Sequence, residues 1–378
     1  MSAPSLVEQA QARQPETLVL LQQIVEYESP SSEKAAVDRL IDFLQAEMEV
    51  RGGAVERLRQ SEFGDLLIGR FPGDAREPLF VMTHVDTVWP IGTLERLPWR
   101  VTETTVHGPG VYDMKASAAM MLTALDMLAG DPTPCRPVVW LVNTEEEVGS
   151  PMSRPVLERL SLEAAYTLCL EPPVPPLDAL KTERKGVGMF EMEITGQAAH
   201  AGADHASGVS AIEELARQVQ WLHSLTDYQL GTTLNVGVVS GGTKRNVVAA
   251  NAEALIDLRV TSLAEAERVV PLLLGAAPRL EGTTVTVTGE LNRPPMERSP
   301  HVLAAFERAK EIGAGIGYDV REAATGGGSD GNFTAAIGAP TIDGLGAPGD
   351  GGHADHEHIL LERYAPRTAF VAALLRDL

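Results

Sequence analysis

The strand-like run Phe80-Val81-Met82-Thr83 stops at His84, with an aspartate, Asp86, two residues on. A lone His-x-Asp says little, but other apolar segments stop in the same way. Gly110-Val111-Tyr112-Asp113-Met114-Lys115, Asn143-Thr144-Glu145-Glu146-Glu147, Leu170-Glu171-Pro172 and Gly351-Gly352-His353 each bring an acid or a histidine to a segment end. Carboxylates and imidazoles gathered at one sheet edge can hold divalent cations, and open α/β sheets keep their sites at that edge. The candidate metal ligands are therefore His84, Asp113, Glu147, Glu171 and His353. Two ions about 3.5–4 Å apart can share a hydroxide and clamp the attacking and leaving oxygens of a hydrolysis. Glu146, a carboxylate beside a ligand, is then placed as general base. Asp86 joins the catalytic set by taking the other ring N–H of His84, which fixes that ligand's tautomer.

Each residue also has an ordinary alternative. His84 alone reads as a hydrogen-bonded histidine at a strand end, and Asp113 as a cap for a helix starting near Lys115. Glu145, Glu146 and Glu147 together read as a solvated acidic turn, although the apolar run from Val138 to Val142 before them favours a buried site. His356 and His358 compete with His353 for the last ligand position.

The elements that must position these residues follow from periodicity. Residues 15–50 carry apolar positions at helical spacing, broken at Ser29-Pro30, with Ser31 or Ser32 expected to cap the second helix. Leu66–Phe71, residues 79–83 and Val138–Asn143 are β-branched, apolar runs of strand length. Ala116–Leu128 is rich in Ala, Met and Leu and reads as a helix. Strands alternating with helices predict an α/β fold: a mixed, largely parallel sheet flanked by helices. The pattern then changes. Met189-Phe190-Glu191-Met192-Glu193-Ile194 alternates like a half-exposed strand. A helix over 209–225, strands near 232–239 and 252–260, a helix opened by Ser262-Leu263-Ala264-Glu265 and a strand over 283–288 complete β-α-β-β-α-β. That is the ferredoxin-like α+β arrangement, inserted into the larger domain. The expected division is a first catalytic part over 1–184, the inserted domain over 185–296 and a second catalytic part over 297–378.

Bulk properties narrow the function classes. At 378 residues the chain exceeds what one hydrophobic core usually covers. A formal net charge of −21 argues against nucleic acid or an anionic membrane as partner. Cys135 and Cys169 do not make a disulfide framework, and residues 1–13 lack the basic and apolar regions of a signal peptide. No stretch approaches ~18 consecutive apolar residues. A cytoplasmic location is the expectation.

In chain order, His84-Val85-Asp86, Gly108-Pro109-Gly110-Val111-Tyr112-Asp113-Met114-Lys115, Thr144-Glu145-Glu146-Glu147-Val148-Gly149-Ser150, Glu171-Pro172, Ala199-His200-Ala201-Gly202, Gly326-Gly327-Gly328-Ser329-Asp330 and Gly352-His353 resemble one family. It is the co-catalytic zinc exopeptidases and deacylases: glutamate carboxypeptidase, acetylornithine deacetylase, succinyl-diaminopimelate desuccinylase and aminoacylase. The resemblance spans nearly the whole chain, and it is specific as an ordered set although no single motif is. It implies a zinc-exopeptidase-like catalytic domain with an inserted dimerisation domain, two Zn2+ per subunit with Co2+ or Mn2+ as alternatives, and a homodimer through 185–296. It implies that Asp113 bridges the ions, that His84 and Glu171 complete one site, and that Glu147 and His353 complete the other. Glu146 would activate water, and His200, with His205 as its rival, would cross the dimer interface to hold the oxyanion. The family also places a cis peptide after the bridging aspartate, here Asp113-Met114. Gly149-Ser150 sets Glu146 and Glu147 as the acidic pair, leaving Glu145 as a variable acid before it.

The likeness is greatest to glutamate carboxypeptidases of the folate-hydrolysing type. It makes Arg293, Arg259 and Asn246 candidates for a substrate α-carboxylate, a task for which arginine's fork is suited. Gly327 and Ser329, in the glycine-rich run, are further candidates through an anion-binding nest. The implied substrate is a small peptide or N-acyl amino acid, and the implied reaction is release of a C-terminal amino acid, glutamate first. An N-acyl-amino-acid deacylase is the alternative within the class. A non-catalytic metal-binding or ligand-binding relative is the alternative outside it.

Overall fold

In the computed structural model, which describes residues 4–378, the run Leu79–His84 is a strand buried along its whole length. Met1 to Ala3 of the stretch read for a leader lie outside the described residues. The strand's side chains divide between two cores: Leu79 and Val81 enter one, Phe80 and Met82 the other. A strand covered on both faces reads as an unbroken apolar run. Val138–Asn143 is built alike, with Val138, Trp140 and Val142 facing one core and Val139 and Leu141 the other.

Both strands lie in an eight-stranded sheet whose centre is parallel. Leu79–His84 pairs with Val138–Asn143 on one side and Tyr166–Cys169 on the other. Tyr166–Cys169 pairs in turn with Thr341–Asp343, while Ala54–Leu58 and Leu66–Phe71 run antiparallel at one edge. Helices Leu6–Glu26, Lys34–Val50, Ala116–Leu128 and Leu361–Asp377 supply the first core, and Arg154–Leu162 with Asp330–Ala336 supply the second. The first helix starts earlier than its apolar period suggests, because Ser5 and Glu8 close a reciprocal cap. Neither Ser31 nor Ser32 caps the second helix; Glu33 stands at that position without a side-chain bond. Ser31 instead donates its hydroxyl to Asp86 at 2.7 Å. Among the described residues, no helix is long and apolar enough to cross a membrane.

The chain divides into two compact units. The first runs to Glu183 and includes Arg298–Thr325 and Ser329–Leu378; the second is Arg184–Glu297 with Gly326–Gly328. The second unit has strands Gly186–Thr195, Thr233–Gly241, Asn251–Val260 and Thr284–Arg293, all antiparallel to their neighbours. Asn251–Val260 and Gly186–Thr195 are central and the other two are edges, which is the ferredoxin-like order. Helices Ala211–Ser224 and Leu263–Leu274 cover one face, over Phe190, Met192 and Ile194. Gly326–Gly328 fall outside the expected 185–296 span. They join the second unit because Arg184 Nη1 donates to the Gly327 carbonyl at 3.1 Å and Arg259 Nη1 approaches that of Gly326 at 3.5 Å.

Candidate metal centre

Three neighbouring parallel strands end side by side, and each delivers an acid or a histidine there. His84 is the last residue of Leu79–His84, Glu145 to Glu147 follow Val138–Asn143, and Glu171 follows Tyr166–Cys169. Asp113 arrives on a turn before helix Ala116–Leu128. Gly110 opens that turn at φ +71°, where a Cβ would lie 2.6 Å from Thr87 Cγ2, so only glycine fits. The Asp113–Met114 bond is cis. Asp113 does not cap the following helix. His353 follows Gly351-Gly352 and is itself left-handed, at φ +63°.

The two oxygens of Asp113 face different imidazoles. Oδ1 lies 3.1 Å from His84 Nε2 and Oδ2 lies 3.6 Å from His353 Nε2. His84 Nε2 is also 3.5 Å from Glu171 Oε1, and His353 Nε2 is 3.2 Å from Glu147 Oε2. Ligand atoms of His84, Glu146 and Glu171 lie within 4.8 Å of one another, as do those of Asp113, Glu147 and His353. All the proposed ligands and Glu146 are thus brought together. His356 and His358 fall outside these groups; the His358 ring lies 5.5 Å from that of His107.

Electrostatics explain what such a donor set asks for. Burial opposes charge on His84, but Asp113, Asp86 and Glu171 outweigh it and raise its pKa well above the imidazole norm. Burial raises Glu147, with His353 opposing, and Glu147 in turn raises His353. Carboxylates this crowded repel one another unless positive charge lies among them. Imidazole nitrogens and carboxylate oxygens suit divalent first-row ions, so the residues present fit such a metal.

The surrounding groups hold this set in place, and sequence reading missed most of them. Asp86 is fully buried. Its backbone carbonyl, at 3.1 Å, takes the bond to His84 Nδ1, while its carboxylate Oδ1 lies 3.5 Å away. The carboxylate accepts from the backbone N–H groups of Glu146 at 3.2 Å and Glu147 at 3.1 Å, as well as from Ser31. Asp86 therefore sits as a positioning residue for His84 and for the Glu146–Glu147 turn. Glu145 is fully buried and accepts from the amides of Met152, at 2.8 Å, and Ser153, ahead of helix Arg154–Leu162. Asp330 accepts from Ser150 Oγ at 2.5 Å and Asn143 Nδ2 at 2.6 Å, bracing the same acidic turn. Glu357 accepts from the Asp113 amide at 3.1 Å. The signal available for all four was an acid beside a glycine, serine or histidine motif, which does not distinguish a buried brace from a solvated charge.

In the first unit, Ser329 is fully buried and caps helix Asp330–Ala336, its oxygen accepting from Gly331 N at 3.1 Å and its hydroxyl donating to Asp343 at 3.3 Å. It serves the fold and offers no free hydroxyl to a ligand. In the second unit, Arg259 is forked onto Asp257 by two 2.8 Å bonds, so its bidentate edge is already used. Arg293 is buried, and a Cβ on Gly328 would come within 2.9 Å of its Cδ. With Arg184, which the sequence reading did not single out, it gathers at the glycine run that contains Gly327. The exposed Asn246 accepts Ala201 N through its backbone carbonyl at 3.0 Å, beside His200. His200 Nδ1 accepts from Gly202 N at 3.1 Å and Ala203 N at 3.0 Å. That leaves the proton of the neutral ring on Nε2, the tautomer an oxyanion donor needs. His205 is exposed in a short turn, His205–Ser207.

The family model for peptidase family M20/M25/M40 matches residues 80–377. Carboxypeptidase G2 of Pseudomonas sp. (strain RS-16) is 29% identical over 383 residues, covering 99% of this chain and 92% of that protein. A probable carboxypeptidase of Arthroderma benhamiae is 29% identical over 247 residues, covering 59% of this chain and 53% of that protein, so the alignment spans about half of the fungal sequence. Among solved structures, aminopeptidase PepT from Bacillus cereus gives a TM-score of 0.78 at 22% identity, covering 96% of this chain and 98% of that one. An M20 family metallo-carboxypeptidase from Sulfolobus solfataricus gives 0.75 at 15% identity, with the same coverages of 96% and 98%. At such identities the structural likeness speaks for the fold, while the family match takes in the ligand-bearing strand ends and the inserted unit alike. The chain belongs to peptidase family M20/M25/M40, as a metal-dependent hydrolase of the exopeptidase kind.

Proposed function

We propose that this enzyme is a di-zinc carboxypeptidase that hydrolyses a peptide or N-acyl amide bond and releases a C-terminal amino acid, glutamate foremost. The observation that carries the reading is Asp113, whose two oxygens face His84 and His353 separately, as a carboxylate shared between two ions requires. His84 and Glu171 complete one site, and Glu147 and His353 the other. Bound there, the ions would polarise the scissile carbonyl and make water acidic enough to lose a proton near neutral pH. Glu146 takes that proton and passes it to the leaving nitrogen. His200 donates from Nε2 to the carbonyl oxygen as charge develops, reaching across a homodimer formed through residues 185–296. Arg293 holds the substrate α-carboxylate, with Gly327 in the glycine run beside it and Asn246, near His200, as a further candidate. Arg259 is the weaker candidate because Asp257 already occupies its fork.

The test is a substrate panel of N-acyl-glutamates, acetylornithine and succinyl-diaminopimelate, assayed with zinc, cobalt and manganese by amino-acid release. Fastest release from the N-acyl-glutamates supports the reading. Preference for acetylornithine moves the enzyme to the deacylases, and no turnover on any compound favours a binding protein. Glu146→Gln should lower turnover about 10²–10⁴-fold with bound metal retained; near-normal turnover would remove Glu146 from the mechanism.

A further inference from the structure

The candidate ligands His84, Asp113 and His353 sit on separate segments, and one buried carboxylate, itself on the His353 loop, bonds to the other two segments. Glu357 lies four residues after His353 and is 3% exposed. Its Oε1 accepts from Tyr112 N at 2.9 Å and Asp113 N at 3.1 Å. Its Oε2 accepts from Gly110 N at 2.9 Å and from the indole Nε1 of Trp89 at 2.8 Å. Trp89 stands on the segment leaving His84, three residues beyond Asp86. The donors of this one side chain thus come from two segments remote from it in sequence.

We propose that Glu357 is a positioning residue that staples the loops carrying His84, Asp113 and His353 together, and through them sets the affinity of the metal centre. This rests on the two-metal reading above. Glu357 belongs to the His353 loop by its own backbone: Ala354 N donates to Gly351 O and Glu357 N to Ala354 O, each at 2.9 Å. Beyond it, His358–Leu360 pairs with Thr105–His107, which fixes the far end of the loop. A shift of the Glu357 carboxylate thus moves the Asp113 amide on one side and the His353 backbone on the other. Chemistry also explains why the residue is a carboxylate. Four N–H donors point at two oxygens, and a carboxylate accepts them all. A glutamine has one acceptor oxygen, so it must turn its NH2 towards either the Gly110–Trp89 pair or the Tyr112–Asp113 pair. Groups that orient metal ligands typically change metal affinity or activity about 10–100-fold when removed.

The experiment titrates metal-free protein with zinc against a chromophoric chelator, for wild type, Glu357→Gln, Trp89→Phe and His353→Ala. Metal-free unfolding curves are recorded in parallel. Glu357→Gln should bind its weaker zinc equivalent about 10–100-fold less tightly while its metal-free far-UV spectrum stays that of wild type. Trp89→Phe, which removes one donor and keeps the carboxylate, should shift binding in the same direction by less. It decides the matter should Glu357→Gln not fold. His353→Ala, which deletes a ligand, should lose one equivalent. If it does so while the Glu357 and Trp89 variants titrate like wild type, the stapling role is overturned and the two-metal reading stands. If His353→Ala keeps both equivalents, the two-metal reading fails and this inference falls with it.

Discussion

Replacing Asp86 with asparagine separates orientation from chemistry, because the side chain has no exposed surface and every partner is identified. Oδ1 accepts from Glu146 N at 3.2 Å; Oδ2 accepts from Glu147 N at 3.1 Å and Ser31 Oγ at 2.7 Å. Asp86→Asn keeps the shape but exchanges one oxygen for an NH2. Turned one way, the NH2 meets the Glu146 amide and the His84 side. Turned the other way, it meets the Glu147 amide and a serine hydroxyl that can reverse and accept. The second orientation is cheaper, and it leaves one buried amide without an acceptor. A hydrogen bond to a charged group contributes about 1.5–3 kcal/mol, and a stranded buried donor costs about 1–3 kcal/mol. The two overlap at one amide, so a net loss of about 2–4 kcal/mol is expected. Ser31→Ala, removing only the hydroxyl, should cost about 1 kcal/mol. Urea unfolding of metal-free protein at neutral pH reads these costs. Because the clamp fixes the Glu146–Glu147 turn, kcat/KM should fall about 10–100-fold in Asp86→Asn, mainly through kcat. If Asp86→Asn unfolds within about 0.5 kcal/mol of wild type and keeps kcat/KM within about threefold, the carboxylate does not hold the turn.

Two further outcomes probe the fold around the site. Ser329→Ala should cost about 1 kcal/mol in urea unfolding through loss of a helix cap, with KM unchanged; a raised KM at unaltered stability would return Ser329 to the substrate site. Asp65 is fully buried and accepts from Lys34 Nζ at 2.6 Å, Gln60 N at 3.0 Å, and Arg57 Nε and Arg59 Nη1 each at 2.8 Å. Burial alone would raise its carboxyl, but Lys34, the Gln60 amide and Arg57 outweigh it and hold the pKa far below normal. A carboxyl lowered on folding stabilises above its unfolded value of about 3.9, and the benefit is lost as pH falls towards the folded value. Asp65→Asn should therefore be about 2–3 kcal/mol less stable at neutral pH, the low end for a buried pair because Arg59 is largely exposed. The gap should narrow as pH falls below about 4; a constant gap would contradict the ionic account.

Much of the fold was legible because burial leaves a simple mark on sequence. Val138–Asn143 is apolar at every turn of the pleat because both faces are covered, and Gly186–Thr195 alternates because only one is. The ligand candidates were legible as an ordered set, since each ends an element or opens a glycine turn. What stayed hidden depends on contacts that residue type alone does not specify, several of them remote in sequence. Ser31 looks like a helix cap and instead donates to Asp86, far along the chain. Ser262 does accept from Glu265 N at 3.2 Å, but the Glu265 side chain takes Thr232 Oγ1 instead of completing the expected capping box. Glu145 and Glu357 carry the composition of solvated acids, and only the folded chain shows the amides they serve. Arg259 looked free to bind substrate until its strand brought Asp257 alongside.

These buried carboxylates share a chemical logic. Asp86, Glu145 and Glu357 are all buried beside the ligand set, where burying a charge is costly unless donors surround it. Their hydrogen bonds come from backbone N–H groups, a serine hydroxyl and an indole, with no arginine or lysine among these donors. A guanidinium could satisfy the same oxygens, but it would add a full positive charge beside a donor set that suits cations, and like charges repel in a poorly screened interior. Amide dipoles satisfy these three acids without adding a full positive charge of their own; a lysine partner lies on a ligand instead, Lys181 Nζ being 3.8 Å from Glu171 Oε2. The same bonds fix the backbone of the ligand-bearing segments, so one set of interactions supplies both rigidity and field. A brace built from Lys or Arg would supply only the first.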